Sequence, residues 1–191
     1  MENNAVLLYG KKVVLCPPDK SKHLENALKW INDTEITQYI THYLPVTRDF
    51  EEEWFDNLRK EREKNVVFAI ETHDGKHIGF TGLHNINWHD RTAVAGAIIG
   101  DKDYWGKGYG TDSMMVLLSF AFLSLSLRKI CASVLAFNKR SLGHVLKCGF
   151  RKEGVREKQI YKNGHYEDEV LIAVFRKNWL KMRLQYKTNL G

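Results

Sequence analysis

The chain has 191 residues, 43% of them apolar and 27% charged, with a formal net charge of +6. That length suits one domain with a real core, and the composition is ordinary for a soluble globular protein. The positive balance favours an anionic ligand or partner. The basic residues are nevertheless interleaved with acids, as in NLRKEREKN from Asn57, which reads as a solvated helix face and argues against nucleic acid.

No linker, internal repeat or low-complexity tract divides the sequence, so residues 1–191 are read as one domain. The first residues, MENNAVLLYGKK, lack a secretory pattern. The longest apolar stretch, Met114 to Leu127, is broken by serines and too short for a bilayer. Cys16, Cys131 and Cys148 are odd in number, widely spaced and without a C-x-x-C pair. They read as reduced thiols of a cytoplasmic protein and neither as a disulfide framework nor as a zinc site.

KKVVLCPP predicts a first strand stopped by two prolines. From about Ser21 to Asn32 the spacing is helical, with Leu24, Leu28 and Ile31 on one face. Thr47 is a candidate cap for a second helix reaching about Lys64, with acids in its first turns. VVFAIET and HIGFTGLHNINW are the second and third strands, joined by a turn at Asp74-Gly75. TAVAGAIIG is the fourth. A helix follows from about Gly108 to Leu125, then a fifth strand, KICASVLA, and a short helix that Asn138 can cap. FRKEGVREKQIY and YEDEVLIAVF form the sixth and seventh strands around a turn at KNGH. The core spans about 11–175, with a docked amphipathic helix at about 176–187. The fold class is α/β, a mixed sheet of about seven mainly antiparallel strands with helices on both faces.

The stretch YWGKGYGTDS places Gly106, Gly108 and Gly110 directly before a helix. Bare backbone there is either a plain turn or a phosphate cradle, since the first N–H groups of a helix have no intrahelical partner. A dinucleotide fingerprint needs G-x-G-x-x-G early in a βαβ unit, and a P-loop needs G-x-x-x-x-G-K-[ST]. Neither spacing is present.

YWGKGYGTDS resembles the acetyl-coenzyme A pyrophosphate loop of the GNAT acetyltransferases, and NKRSLGHVLKCGF resembles the helix-and-strand motif that follows it in that superfamily. The likeness extends from about Lys11 to Phe175 and is strongest toward the RimJ/RimL branch, which acetylates protein N-termini and many unrelated amines. It implies splayed fourth and fifth strands, acetyl-CoA as co-substrate, an amine acceptor, no metal, and direct attack in a ternary complex. Dimers occur in the family, although no motif here demands one.

On this resemblance the backbone of Gly106, Lys107, Gly108, Tyr109, Gly110 and Thr111 cradles the pyrophosphate. Trp105 opens the loop as a core anchor or a ligand contact. The backbone of Ala97, Ile98, Ile99 and Gly100 bonds the pantetheine arm. Asn138 is a helix cap, a coenzyme contact, or both, and Arg140 meets the adenosine phosphate or solvent. The tyrosine that many members use to protonate the leaving thiolate is replaced by Val145. Ser141, one helical turn before it, is assigned as the thiolate donor. The base is open: His84 has the most suitable intrinsic pKa, and Glu153, Glu157 and Asp168 are alternatives, since Val94 and Ala95 stand where a glutamate is common. Acceptor selection is expected in ITQYITHYLPVTRD, where Tyr39, His42 and Tyr43 are candidate lining residues. The acceptor is a protein N-terminus, or else a polyamine, amino sugar or aminoglycoside, and a non-catalytic acyl-CoA-binding module is the remaining reading.

Overall fold

Residue alternation along the strands builds two separate apolar layers, one on each face of a single sheet. The structure, a computed structural model, describes residues 7–188. Strands β1 (Leu8–Tyr9) and β2 (Val13–Cys16) make a short hairpin ended by Pro17 and Pro18. Helix α1 (Lys20–Ile31) starts where the Asp19 carboxylate accepts the Ser21 N–H, and α2 (Thr34–Thr37) starts in the same way at Asp33. Helix α3 (Arg48–Lys60) is capped by Thr47, with Asp49 and Glu51 in its first turn.

Three long strands follow: β3 (Val66–Thr72), β4 (His77–Asn87) and β5 (Thr92–Ile99). A 3-10 turn at Lys102–Tyr104 leads to α4 (Tyr109–Ser119), which runs on into a π-helical turn at Phe120–Ser124. Then come β6 (Lys129–Leu135), α5 (Lys139–Lys147), β7 (Arg151–Lys162), β8 (His165–Phe175) and α6 (Arg176–Thr188).

The strand order is β1-β2-β3-β4-β5-β6-β8-β7. Neighbours are antiparallel except β5 and β6. Val13, Leu15, Phe68 and Ile70 face α4 and α6, where Met114, Leu118 and Trp179 close the first core. Cys16, Ala69 and Phe80 face the other way, toward Leu24 and Trp30 of α1 and Phe55 of α3. A bulge where Ile70 and Glu71 meet β4 lets Ile78 and Phe80, two residues apart, serve opposite layers.

The sheet has eight strands where about seven were expected. The extra one is the two-residue β1, too short for a period-two signal. The expected fourth and fifth strands are therefore β5 and β6. They pair at only three positions, Thr92 with Lys129, Ala93 with Ile130 and Val94 with Cys131. Beyond Val94 they part: β5 continues beside β4 alone, and β6 beside β8. That divergence is the structural basis of the site. No described helix is long and apolar enough to cross a membrane.

Candidate active site

A cleft of about 450 Å³ opens where β5 and β6 separate. One wall is the end of β5, through Ala97, Ile98 and Ile99. The glycine loop and the start of α4 form another, α5 a third, and Ile36 of α2 with Tyr39 and Ile40 just after it close the cleft.

Gly106 and Gly108 have φ of 72° and 87°, a region costly for residues with a Cβ. Gly108 caps α4 without a side chain, and the first helical bond to its carbonyl comes from the Asp112 N–H. The N–H groups of Tyr109, Gly110 and Thr111 therefore lack helical partners, at the positive end of the helix. Behind the loop, the Lys12 ammonium donates to the Lys107 carbonyl at 2.9 Å and lies 5.3 Å from the Tyr109 ring centre. The buried Asp112 carboxylate accepts the N–H groups of Lys11, Lys12 and Val13 at 3.2, 2.7 and 3.2 Å. It fixes the first turn of α4 to β2. Neither Lys12 nor Asp112 was legible as part of the site, because each acts across about a hundred residues of sequence.

Trp105 donates its indole N–H to the Ile99 carbonyl at 2.6 Å and carries the Arg140 guanidinium 4.0 Å above its ring. It is thus both an anchor and a cleft wall. The Asn138 carboxamide accepts the Ser141 N–H at 3.0 Å, so the capping reading holds. The Ser141 hydroxyl makes no hydrogen bond among the described residues and lies on the cleft wall. Val145, one turn on, is buried in the first core and offers no chemistry.

A family profile described as Acetyltransferase (GNAT) domain matches residues 12–151. The chain belongs to the GNAT acetyltransferase domain family. Two Bacillus subtilis (strain 168) proteins with provisional names are similar to it. The N-acetyltransferase YjcK is 35% identical over 120 residues, 61% of this chain and 65% of YjcK. The ribosomal N-acetyltransferase YdaF is 29% identical over 124 residues, 65% of this chain and 67% of YdaF. The aligned regions thus span about two thirds of those relatives. Among solved structures, the spermidine N-acetyltransferase of Vibrio cholerae, in complex with CoA and spermine, superposes with a TM-score of 0.82. It is 24% identical, with 88% of this chain and 98% of that one covered. That match establishes the GNAT fold.

GNAT acetyltransferases use acetyl-CoA, and the cleft has what the coenzyme requires: unpaired amides at a helix start, cations, and a strand edge without a neighbour. Ile98, Ile99, Trp105, Gly106, Gly108, Gly110, Thr111, Asn138 and Ser141 all line it. Four other expected site residues do not. Gly100 is pressed against Trp30, where even a Cβ would overlap the indole, and its N–H is spent on the Ile78 carbonyl. The Lys107 side chain is exposed, and the Tyr109 ring turns back onto Tyr104, their centroids 4.8 Å apart. His84 sits opposite Val94, at the other end of β5 from Ile98, and burial lowers its pKa.

The carboxylates weighed as bases are also elsewhere. Glu153 pairs with Lys129 at 2.8 Å, Glu157 is exposed, and Asp168 accepts the Lys158 N–H at 2.9 Å. Of the three candidate acceptor residues, Tyr39 lines the cleft. His42 bonds the Leu44 carbonyl and Tyr43 is 80% exposed. Conversely, His144 was not anticipated. It lines the cleft beside Gly110, its Nδ1 enclosed without a partner, and burial followed by the charges of Lys147 and Arg140 lowers its pKa.

One cluster away from the cleft has metal-ligand types: Cys16, His23 and Glu71 hold their donor atoms within 4.8 Å of one another. The Asp19 N–H donates to His23 Nδ1 at 2.8 Å, so in the neutral ring the proton is on Nε2, facing Glu71 at 2.9 Å. A proton thus fills the place an ion would take, and the cluster reads as a hydrogen-bonded part of the second core.

Proposed function

We propose that this chain transfers the acetyl group of acetyl-CoA to the free α-amine of a peptide or protein, as in the RimJ/RimL branch. One observation carries the reading: no aspartate or glutamate is among the described residues lining the cleft. A polycation such as spermidine finds no counter-charge there. An amine with a pKa near 10.4 also finds no adjacent carboxylate base, whereas an α-amine, near 8, is already about a tenth neutral at pH 7 without one.

The amine nitrogen attacks the thioester carbon, the C–S bond breaks, and the nitrogen loses its proton to solvent water. The Ser141 hydroxyl donates to the departing sulfur. The α4 amides and Lys147 of α5 hold the phosphates, and the open edge of β5 aligns the arm.

The test is CoA thiol release with short peptides bearing free α-amines and blocked lysines, set beside spermidine, an aminoglycoside and an amino sugar. Turnover of the peptides, abolished by N-terminal blocking, is expected. Turnover of spermidine alone would overturn the reading.

A further inference from the structure

The geometry points to Arg140 as a specificity residue that reads a carboxylate on the acceptor. The preferred acceptors are then peptides with an acidic side chain adjacent to the free α-amine. This rests on the peptide reading above and narrows it.

The first support is fixation. The guanidinium lies 4.0 Å from the Trp105 ring centre and 5.1 Å from that of Tyr39. Trp105 is locked in turn by its bond to the Ile99 carbonyl, and Tyr39 packs on both Trp105 and Phe137, each at 6.1 Å. The exposed side chain thereby rests against two rings on the cleft wall.

The second support is vacancy of charge. Among the described residues no carboxylate pairs with Arg140, in contrast to Lys102, which pairs with Asp33 and Glu35, and Arg48, which pairs with Glu25. A guanidinium held over a ring and paired with no carboxylate has N–H donors to offer, and its fork matches a carboxylate in two-point fashion.

The third support is position. Arg140 directly precedes Ser141, the thiolate donor of the proposed reaction, and both line the cleft. Its aromatic contacts draw it toward the α2 wall. His144 and Lys147 stand further along α5, with His144 beside Gly110 at the phosphate-binding loop. The coenzyme's phosphates therefore have their own donors. A site built to bond one group discriminates against the analogue without it.

The experiment compares kcat/KM for matched peptides, Ser-Glu against Ser-Gln at the first two positions, in wild type and R140Q. A second matched pair, 4-aminobutyrate against butylamine, runs alongside. CoA and 3′-dephospho-CoA affinities are measured by calorimetry on both proteins. We expect the acidic peptide to lead by about tenfold in wild type, from loss of a charge-assisted bond in the other, and that lead to vanish in R140Q. Equal rates in wild type, or a lead that survives R140Q, overturn the proposal. So does a loss in R140Q confined to CoA and absent with 3′-dephospho-CoA, which would give Arg140 to the coenzyme. If peptides are idle and small amines react, the peptide reading fails while the second pair still decides the role of Arg140.

Discussion

Ser141 illustrates how two roles of one residue separate. Its backbone N–H completes the Asn138 cap, while its hydroxyl bonds nothing among the described residues. Ser141→Ala removes only the hydroxyl. The expected result is a kcat lowered by about 10²-fold, the low end for loss of a proton donor, with CoA affinity and melting temperature unchanged. A wild-type kcat would remove Ser141 from the chemistry. His77 carries a different kind of consequence. It is buried, Asn26 offers an N–H to its Nδ1 at 3.3 Å, and its Nε2–H donates to the Gly79 carbonyl at 3.0 Å. Burial, followed by the neighbouring His23, pushes its pKa down to about 4. In the unfolded chain a histidine titrates near 6.5, so between those values the unfolded state binds the proton and the native state does not. The stabilisation is complete above about pH 6.5 and is lost as pH falls toward 4, by at most about 3 kcal/mol. His84 and His144, also lowered, act with the same sign. Urea midpoints at pH 7.5 and 4.5 should therefore differ, and His77→Gln should remove part of the difference. An unchanged difference in that variant would locate the effect elsewhere.

The short helix α2 and the segment after it form a wall of the cleft, anchored by Ile36 in the second core and by Lys102 on Asp33 and Glu35. A further hold comes from β7. Lys162 is buried, and its ammonium donates to the Thr37 carbonyl at 3.0 Å and the His42 carbonyl at 2.6 Å. A cation at a helix C-terminus satisfies carbonyls that the helix leaves unpaired. Burial lowers its pKa. Lys162→Met keeps much of the bulk and removes the donors. It should raise the acceptor KM several-fold and lower CoA affinity less, since the Lys162 ammonium bonds only the α2 segment and neither the glycine loop nor α5. Equal loss of both affinities would show that the segment supports the whole cleft. The same contrast explains what could be read in advance. Gly106, Gly108 and the cap at Asn138 announce themselves locally, because backbone geometry demands those residue types. Helix α2 has four residues, too few for a period of its own. Lys162, Lys12 and Asp112 look like ordinary charged residues until the fold brings their distant partners to them.

At the scale of the whole molecule, strand and helix periods were sufficient to order the elements and to place two helical layers on one mixed sheet. They could not indicate that β8 inserts between β6 and β7, because every edge of a hairpin strand has the same alternation. The parting of β5 from β6 came from family resemblance, and its register is now explicit: three paired positions and then none. This gives the sheet an uneven response to its ligand. Within residues 95–99 of β5 alternate N–H groups point to β4 and the others to the split, and Tyr109, Gly110 and Thr111 have N–H groups without helical partners. Amides of this kind exchange with solvent without unfolding of the protein, whereas those between β3 and β4 are enclosed on both sides and wait for larger openings. Coenzyme that lies along β5 and caps α4 should slow exchange at 95–99 and 109–111 first, at short labelling times. The β3–β4 amides should change only at long times. Their gain is set by the global stabilisation, about 2.7 kcal/mol at a hundredfold excess over Kd. Hydrogen exchange with and without CoA reads both regimes in one series. Early protection spread over the β7–β8 hairpin, with β5 unaffected, would place the coenzyme outside the split and dismantle the site built on it.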